Sequence, residues 1–324
     1  MPAPGAMNLG SAFNRAVDHT RRLLFRPFDL TVWVCIGVTI LAEEIVGQDF
    51  GPWFLLPDLD FSFFDGGDPA EEVARHIRDA TDFLAEHFVI VASIGVFAVF
   101  LYLLAMLVGV WISSRGRLMF IRAVALGDHR IDVNWTATRS LAHSLFLFRI
   151  VVHLLTFAFF AGIVVAAASL VWVFGAETPS ALLFLFFLMS PFILVSLLAS
   201  GVLFLVHEVL RDFVVPLMFR FDVPCAAAWT IFFRIAKGNV TVICIYLLLR
   251  DLAFIAVHGA ATLIGFMTFF IGFLPVVRQT ILAPAYVLDR AASLYLIESA
   301  GPEYRIIVPW NAGPPELPAR AGES

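Results

Sequence analysis

Apolar positions in this chain gather into long unbroken runs, with most of the polar ones in the stretches between them. About 20 apolar residues in a row is the length at which a helix crosses the hydrocarbon core of a bilayer. The clearest run is Phe88–Ile112, followed by Ile150–Phe174 and Ala181–Val206, the last with Pro191 as an expected kink. Residues 240–297 hold enough apolar sequence for two more spans, with the turn between them expected near Gly265. The first run, Leu30–Val46, is short and is interrupted by Glu43 and Glu44. A helix starting nearer Phe25, or one tilted in a thin region, would let it cross. The pattern predicts an all-α polytopic membrane helix bundle of about six transmembrane helices in one domain over 1–300.

The segments between the runs differ in kind. Residues 1–29 set Arg15, Arg21, Arg22 and Arg26 beside Phe13, Val17 and Leu23, which predicts an amphipathic surface helix stopped by Pro27. Residues 47–86 carry ten acidic residues against Arg75 and Arg78. Their first half mixes aromatics with turn formers, and the second, from Pro69, has helical periodicity. The Pro-rich stretch 301–324 reads as a flexible tail.

Composition agrees with the pattern. Apolar residues make up 60% and charged residues 15%, with a mean hydropathy of +0.90, against about 45–50% and 25% in soluble domains. The net charge of −5 decides little, because the charges are segregated. Arginines concentrate at the N-terminus and in 113–149 and 207–239, while 47–86 and 175–180 are poor in them. The positive-inside rule then places both termini in the cytoplasm and the 47–86 insert outside, in a bacterial inner membrane. No cleavable signal peptide is evident. Cys35, Cys225 and Cys244 form no CxxC pair, so neither a disulfide framework nor a zinc site is expected.

Two of the basic stretches share a spacing. Arg117 is followed after eleven residues by Asp128 and after seven more by Trp135; Arg211, Asp222 and Trp229 repeat it. Residues eleven or seven apart nearly superimpose around a helix axis. Because Pro216 and Pro224 interrupt one copy, an elbow of two amphipathic helices is predicted rather than one straight stripe. The interval recurs at Arg278/Asp289 and loosely at Arg15/Arg26/Trp33, so the chain reads as a triplicated two-helix hairpin.

The run from Phe213 to Leu249, with Pro216, the Ala226–Trp229 helix start and Lys237-Gly238-Asn239, and the later Tyr286-Val-Leu-Asp289-Arg290, carry a family likeness. They resemble the polytopic membrane domain found with some bacterial glycerophosphoryl diester phosphodiesterases and its stand-alone relatives. The resemblance implies a six-helix bundle with cytoplasmic elbows and no settled biochemical role. The chain has no room for the soluble phosphodiesterase domain and none of its metal-ligand clusters, so that activity is not carried over.

Candidate chemistry centres on Arg250 and Asp251, inside the fifth span. A charge at the bilayer centre costs about 2.5–3.5 kcal/mol on insertion scales and so seeks a partner or water. Adjacent helical residues point about 100° apart, so Arg278 is the candidate partner for Asp251, and Glu43 or Glu44 for Arg250. Such a cluster serves as an ion-pair lock, a polar pathway or a headgroup contact. Glu43-Glu44 is either a paired-carboxylate site or the end of a short span. His207-Glu208 begins like a zincin motif but lacks the second histidine. No phosphate loop, nucleophile elbow or calcium loop is present; no catalytic residue, metal, cofactor or nucleic-acid partner is expected. The expected partner is the lipid bilayer, with anionic headgroups at the cytoplasmic arginines. The leading reading is a non-enzymatic structural or accessory role in the envelope. The alternatives are a small-solute or ion transporter using the Arg/Asp cluster, and a lipid-modifying enzyme.

Overall fold

The computed structural model describes residues 5–45, 86–174, 179–269 and 271–308, together with Phe83. The acidic insert expected over 47–86, the turn at 175–178 and the tail beyond Val308 lie outside the described residues, apart from Phe83 and Glu86. Among the described residues all regular structure is helical, and five helices are long and apolar enough to cross a membrane. The chain is an all-α polytopic membrane bundle.

Helix α1 (Leu9–Phe25) starts where the Asn8 side chain accepts the Ser11 N–H, a cap that satisfies one of the free first-turn donors. Its apolar face, with Ala12, Ala16 and Leu24, packs along the last helix, α10 (Pro275–Glu298). His19 is buried in that seam, with Nε2 2.9 Å from the Val124 carbonyl and Nδ1 3.3 Å from the Tyr295 hydroxyl. Burial holds its imidazole below the usual range; the Val124 carbonyl opposes this, and Arg22 adds to it.

Helix α2 (Leu30–Glu44) has 15 residues, about 22 Å at 1.5 Å per residue and short of a bilayer's hydrocarbon thickness. It lies between α3 (Phe88–Leu126) and α10. Two glycines allow the approach. A Cβ on Gly116 would lie 2.4 Å from the Glu43 nitrogen, and one on Gly37 would lie 2.5 Å from Thr280 Oγ1. Small residues at helix crossings let backbones touch, the main packing device where lipid competes for every apolar surface. Here they press Glu43 into the middle of the molecule.

The remaining helices overrun their apolar spans. Helix α3 continues through the supposed linker from Ser113 to Leu126 and ends on left-handed Gly127. After the short α4 (Ile131–Ala137), α5 (Arg139–Phe174) starts well before the apolar run at Ile150. Helix α6 (Pro179–Val209) runs through Pro191 and passes by a π turn (Leu210–Val214) into α7 (Val215–Phe221). Pro216 therefore breaks nothing: it stands in the first turn of α7, where its missing N–H costs least. Helices α8 (Cys225–Ala236) and α9 (Val240–Met267) follow. Helix α9 passes through Gly265, and the break before α10 spans 268–274 rather than Gly265. Thr268 caps α9, Phe269 takes a positive φ of 49°, and Pro275 opens the next helix.

The elbow spacing is visible as geometry, shifted by one residue. Helix α3 ends on left-handed Gly127 and α7 on left-handed Asp222, ten and eleven residues after Arg117 and Arg211. The π turn, which fits one extra residue into a helix, lies in the second copy and absorbs the difference. Trp135 and Trp229 are each the fifth residue of the short helix that follows. The third copy is corrected. Asp289 lies inside α10 and caps nothing, and its neighbour Arg290 joins Arg117 and Arg211 around Glu43. Arg15 on α1, Arg26 at its C-cap and Trp33 at the start of α2 lie away from this centre: Arg15 pairs with Glu298 and the Trp33 ring N–H donates to the Leu24 carbonyl.

Burial divides the molecule into two halves. In the most apolar 18-residue windows of α3, α5 and α6 none of the residues is buried inside the protein, against 22% in α9 and 72% in α10. Those faces are free for lipid. Protein packing is concentrated at the polar ends of the helices around α10, where the charged residues are.

Candidate functional site

The charges meet on α10 and the π turn. Glu43 lies 2.5 Å from Arg290 and 3.2 Å from Arg211. Arg211 also binds Asp289 at 2.6 Å, and Arg290 donates to the Arg211 backbone carbonyl at 2.8 Å. Arg250 reaches Asp212 at 2.5 Å and Asp251 at 2.6 Å, and pairs with Glu208. The Tyr246 hydroxyl lies 3.3 Å from Asp289 and 3.5 Å from Asp212, joining the two halves. Asp212 and Arg290 are fully buried. Charges so placed are tolerable only when paired and hydrogen-bonded, since each ion taken alone out of water costs several kcal/mol or more.

The partners differ from those expected. Asp251 pairs with its neighbour Arg250 rather than with Arg278, which is half-buried near the start of α10. Arg250 takes Glu208 and Asp212 rather than Glu43 or Glu44. Glu43 goes to Arg211 and Arg290, while Glu44 accepts from Gln279 at 2.5 Å. Sequence reasoning noted Glu208 and Arg290 only in other motifs and did not place Glu208, Asp212, Arg290 or Tyr246 in the charge cluster. A signal was present: Glu208 and Asp212 are four residues apart in an otherwise apolar run, and so share a helix face.

The elbow residues lie outside this network, except Arg117, Arg211 and Asp289. Asp128 binds Arg130 at 3.0 Å and Arg122 at 3.6 Å. Burial pushes its carboxyl up, but the Arg130 hydrogen bonds and both arginine charges outweigh that and hold it below the usual range. Trp135 stacks under Arg115, and Trp229 packs on Phe232 and Phe233. Asp222 is exposed at its cap.

A cavity of about 380 Å³ opens beside the network. Its polar lining includes Glu43, Glu44, Arg117, His207, Arg250 and Asp251. Its rim is apolar: Phe204 on α6 and Ile255 on α9 are 40% and 71% exposed. A second cavity of about 180 Å³ lies between α5 and α6, and His207 lines both. Among the described residues no cluster of three or more His, Cys, Asp or Glu is placed to hold a metal ion.

These features define a polytopic helical membrane protein with a charged centre within its bundle. Residues 7–302 match the family of unknown function DUF7544, and the chain belongs to that family. No curated protein and no solved structure matches it.

Proposed function

We propose that this protein is a multi-pass protein of the bacterial inner membrane that organises lipid without transforming it, holding a polar headgroup in the cavity between α6 and α9. The observation that carries this is the pairing of a charged interior with an exposed apolar rim at Phe204 and Ile255. A free polar solute gains nothing from such a rim, whereas a lipid satisfies both parts, headgroup inside and chains along the lipid-facing helices. Charges of both signs line the cavity, Arg117 and Arg250 against Glu44 and Asp251. The matching headgroup carries an ammonium and a phosphate. A small-solute pathway is the second reading, favoured by His207 lining both cavities.

The test is native mass spectrometry of protein extracted in mild detergent from membranes containing phosphatidylethanolamine. The expected result is a retained phospholipid that falls at least fivefold in Ile255→Trp, which fills the rim and leaves every charge in place. Equal retention in the variant and the natural protein would sink the headgroup reading.

A further inference from the structure

Two arginines of the charged centre stand apart from its ion pairs. Arg117 and Arg149 are each only 2% exposed, and no carboxylate lies within ion-pair distance of either among the described residues. Arg149 donates through Nη1 to Ser113 Oγ at 3.0 Å and Ser114 Oγ at 3.2 Å. Its Nε and Nη2 are buried without a hydrogen-bond partner, as are Nε and Nη1 of Arg117. Arg117 Nη2 lies 2.8 Å from His207 Nε2. A guanidinium only donates, so Nε2 is the acceptor and the ring proton sits on Nδ1.

The internal repeat supplies a control within the same molecule. Arg149 is the eleventh residue of α5, and Arg250 the eleventh of α9. Each reaches back to the residue three before the elbow arginine that closes the preceding long helix: Ser114 before Arg117, Glu208 before Arg211. At the second site that residue is a carboxylate, with Asp212 beside it, and Arg250 is neutralised. At the first site it is a hydroxyl, which leaves the guanidinium its full charge. The same arginine is thus built twice and paired once. Beside Arg149 there is space: Arg149, His153 and His207 line the cavity of about 180 Å³, well beyond the 10–15 Å³ or so that one water needs.

We propose that Arg149, supported by His207 and Arg117, binds a small oxyanion of the phosphate class in this cavity. The free Nε and Nη2 edge of Arg149 is the planar fork that fits two oxygens of such a group, and the His207 Nδ1–H offers a further donor. The anion comes either from solution or from a lipid headgroup entering between α5 and α6. The site shares His207 with the outer cavity, but Arg149 lines only the inner one and Ile255 only the outer, so Ile255→Trp leaves the Arg149 side intact.

The experiment has two arms on the detergent-purified full chain. Equilibrium dialysis with radiolabelled inorganic phosphate reads the free anion. Native mass spectrometry after exchange into phosphatidylglycerol, with diacylglycerol as the phosphate-free comparison, reads the headgroup. The expected result is one phosphate-bearing species per chain in at least one arm, weakened at least tenfold by Arg149→Gln. Ser114→Asp, which restores the acidic character of the equivalent position, is expected to weaken it as much while keeping the thermal midpoint at or above that of the natural protein. If neither variant folds, the natural protein's binding still decides. No binding in either arm, or binding undiminished in folded variants, overturns the proposal and leaves Arg149 to water.

Discussion

At the scale of single residues, Arg250 is the charge on which most others depend. It faces Glu208, Asp212 and Asp251 at once and is 8% exposed. Removing one partner of a buried ion pair leaves the other uncompensated, which typically costs about 3–5 kcal/mol. Arg250→Leu is therefore expected to lower the thermal midpoint in detergent sharply. Adding Glu208→Gln should recover part of the loss, because the double variant no longer strands that carboxylate. A double variant no more stable than Arg250→Leu would show that the pair is not the source. Arg250 and Asp251 were legible in the sequence because charges inside an apolar run stand out. Their partners were not, because Glu208 and Asp212 sit where a span ends and a basic elbow begins, and there charge is unremarkable. The role of Arg290 was hidden differently: it lies inside α10, the least apolar of the five spans, where a charge does not stand out.

At the scale of elements, the close crossing of α2 decides whether Glu43 reaches the network at all. Gly116 meets the Ala42–Glu43 backbone directly, so any side chain there must push the helices apart. The backbone on both sides is helical and cannot yield as a flexible side chain can. Gly116→Val is expected to move α2 off α3, break the Ser113 hydrogen bond to the Glu43 carbonyl and weaken the Glu43 pairs with Arg211 and Arg290. Expression and the thermal midpoint should both fall, by more than in Gly162→Val, whose added Cβ meets nothing within 4 Å. Equal effects at the two glycines would remove the crossing's special role. The apolar runs showed where helices lie but not where they end. Continuation past Ile112 rests on Ser113, Arg115 and Arg117 packing into protein, which hydropathy scores as polar loop. The one-residue shift between the elbows was equally illegible, since a π turn has no reliable sequence signature.

At the scale of the whole molecule, the two clear elbows put Gly127 and Asp222 at matching helix ends, with the short helices α4 and α8 after them. Helix α9 then runs 28 residues to Met267, about 42 Å at 1.5 Å per residue and enough to cross the full bilayer. Ends joined in this way fix sidedness. If α9 crosses the bilayer, the elbows share one face of the membrane and the turn before Pro275 lies on the other. By the positive-inside rule we propose that the elbow face is the cytoplasmic one. In a background with Cys35 and Cys244 changed to serine, Ala137→Cys and Ala226→Cys sit at exposed elbow positions, and Ile271→Cys at the far turn. Cys225 needs no replacement: it is buried, and that burial pushes its thiol up to about 12 and out of reach of maleimide at neutral pH. An impermeant maleimide is expected to label positions 137 and 226 in inverted membrane vesicles and position 271 in spheroplasts. Labelling of 137 and 226 from opposite sides would dissolve the repeated hairpin. Labelling of all three with the sides exchanged would keep the fold and reverse the orientation, placing the opening of the charged centre toward the other leaflet and changing which lipids can reach Arg250 and Arg149.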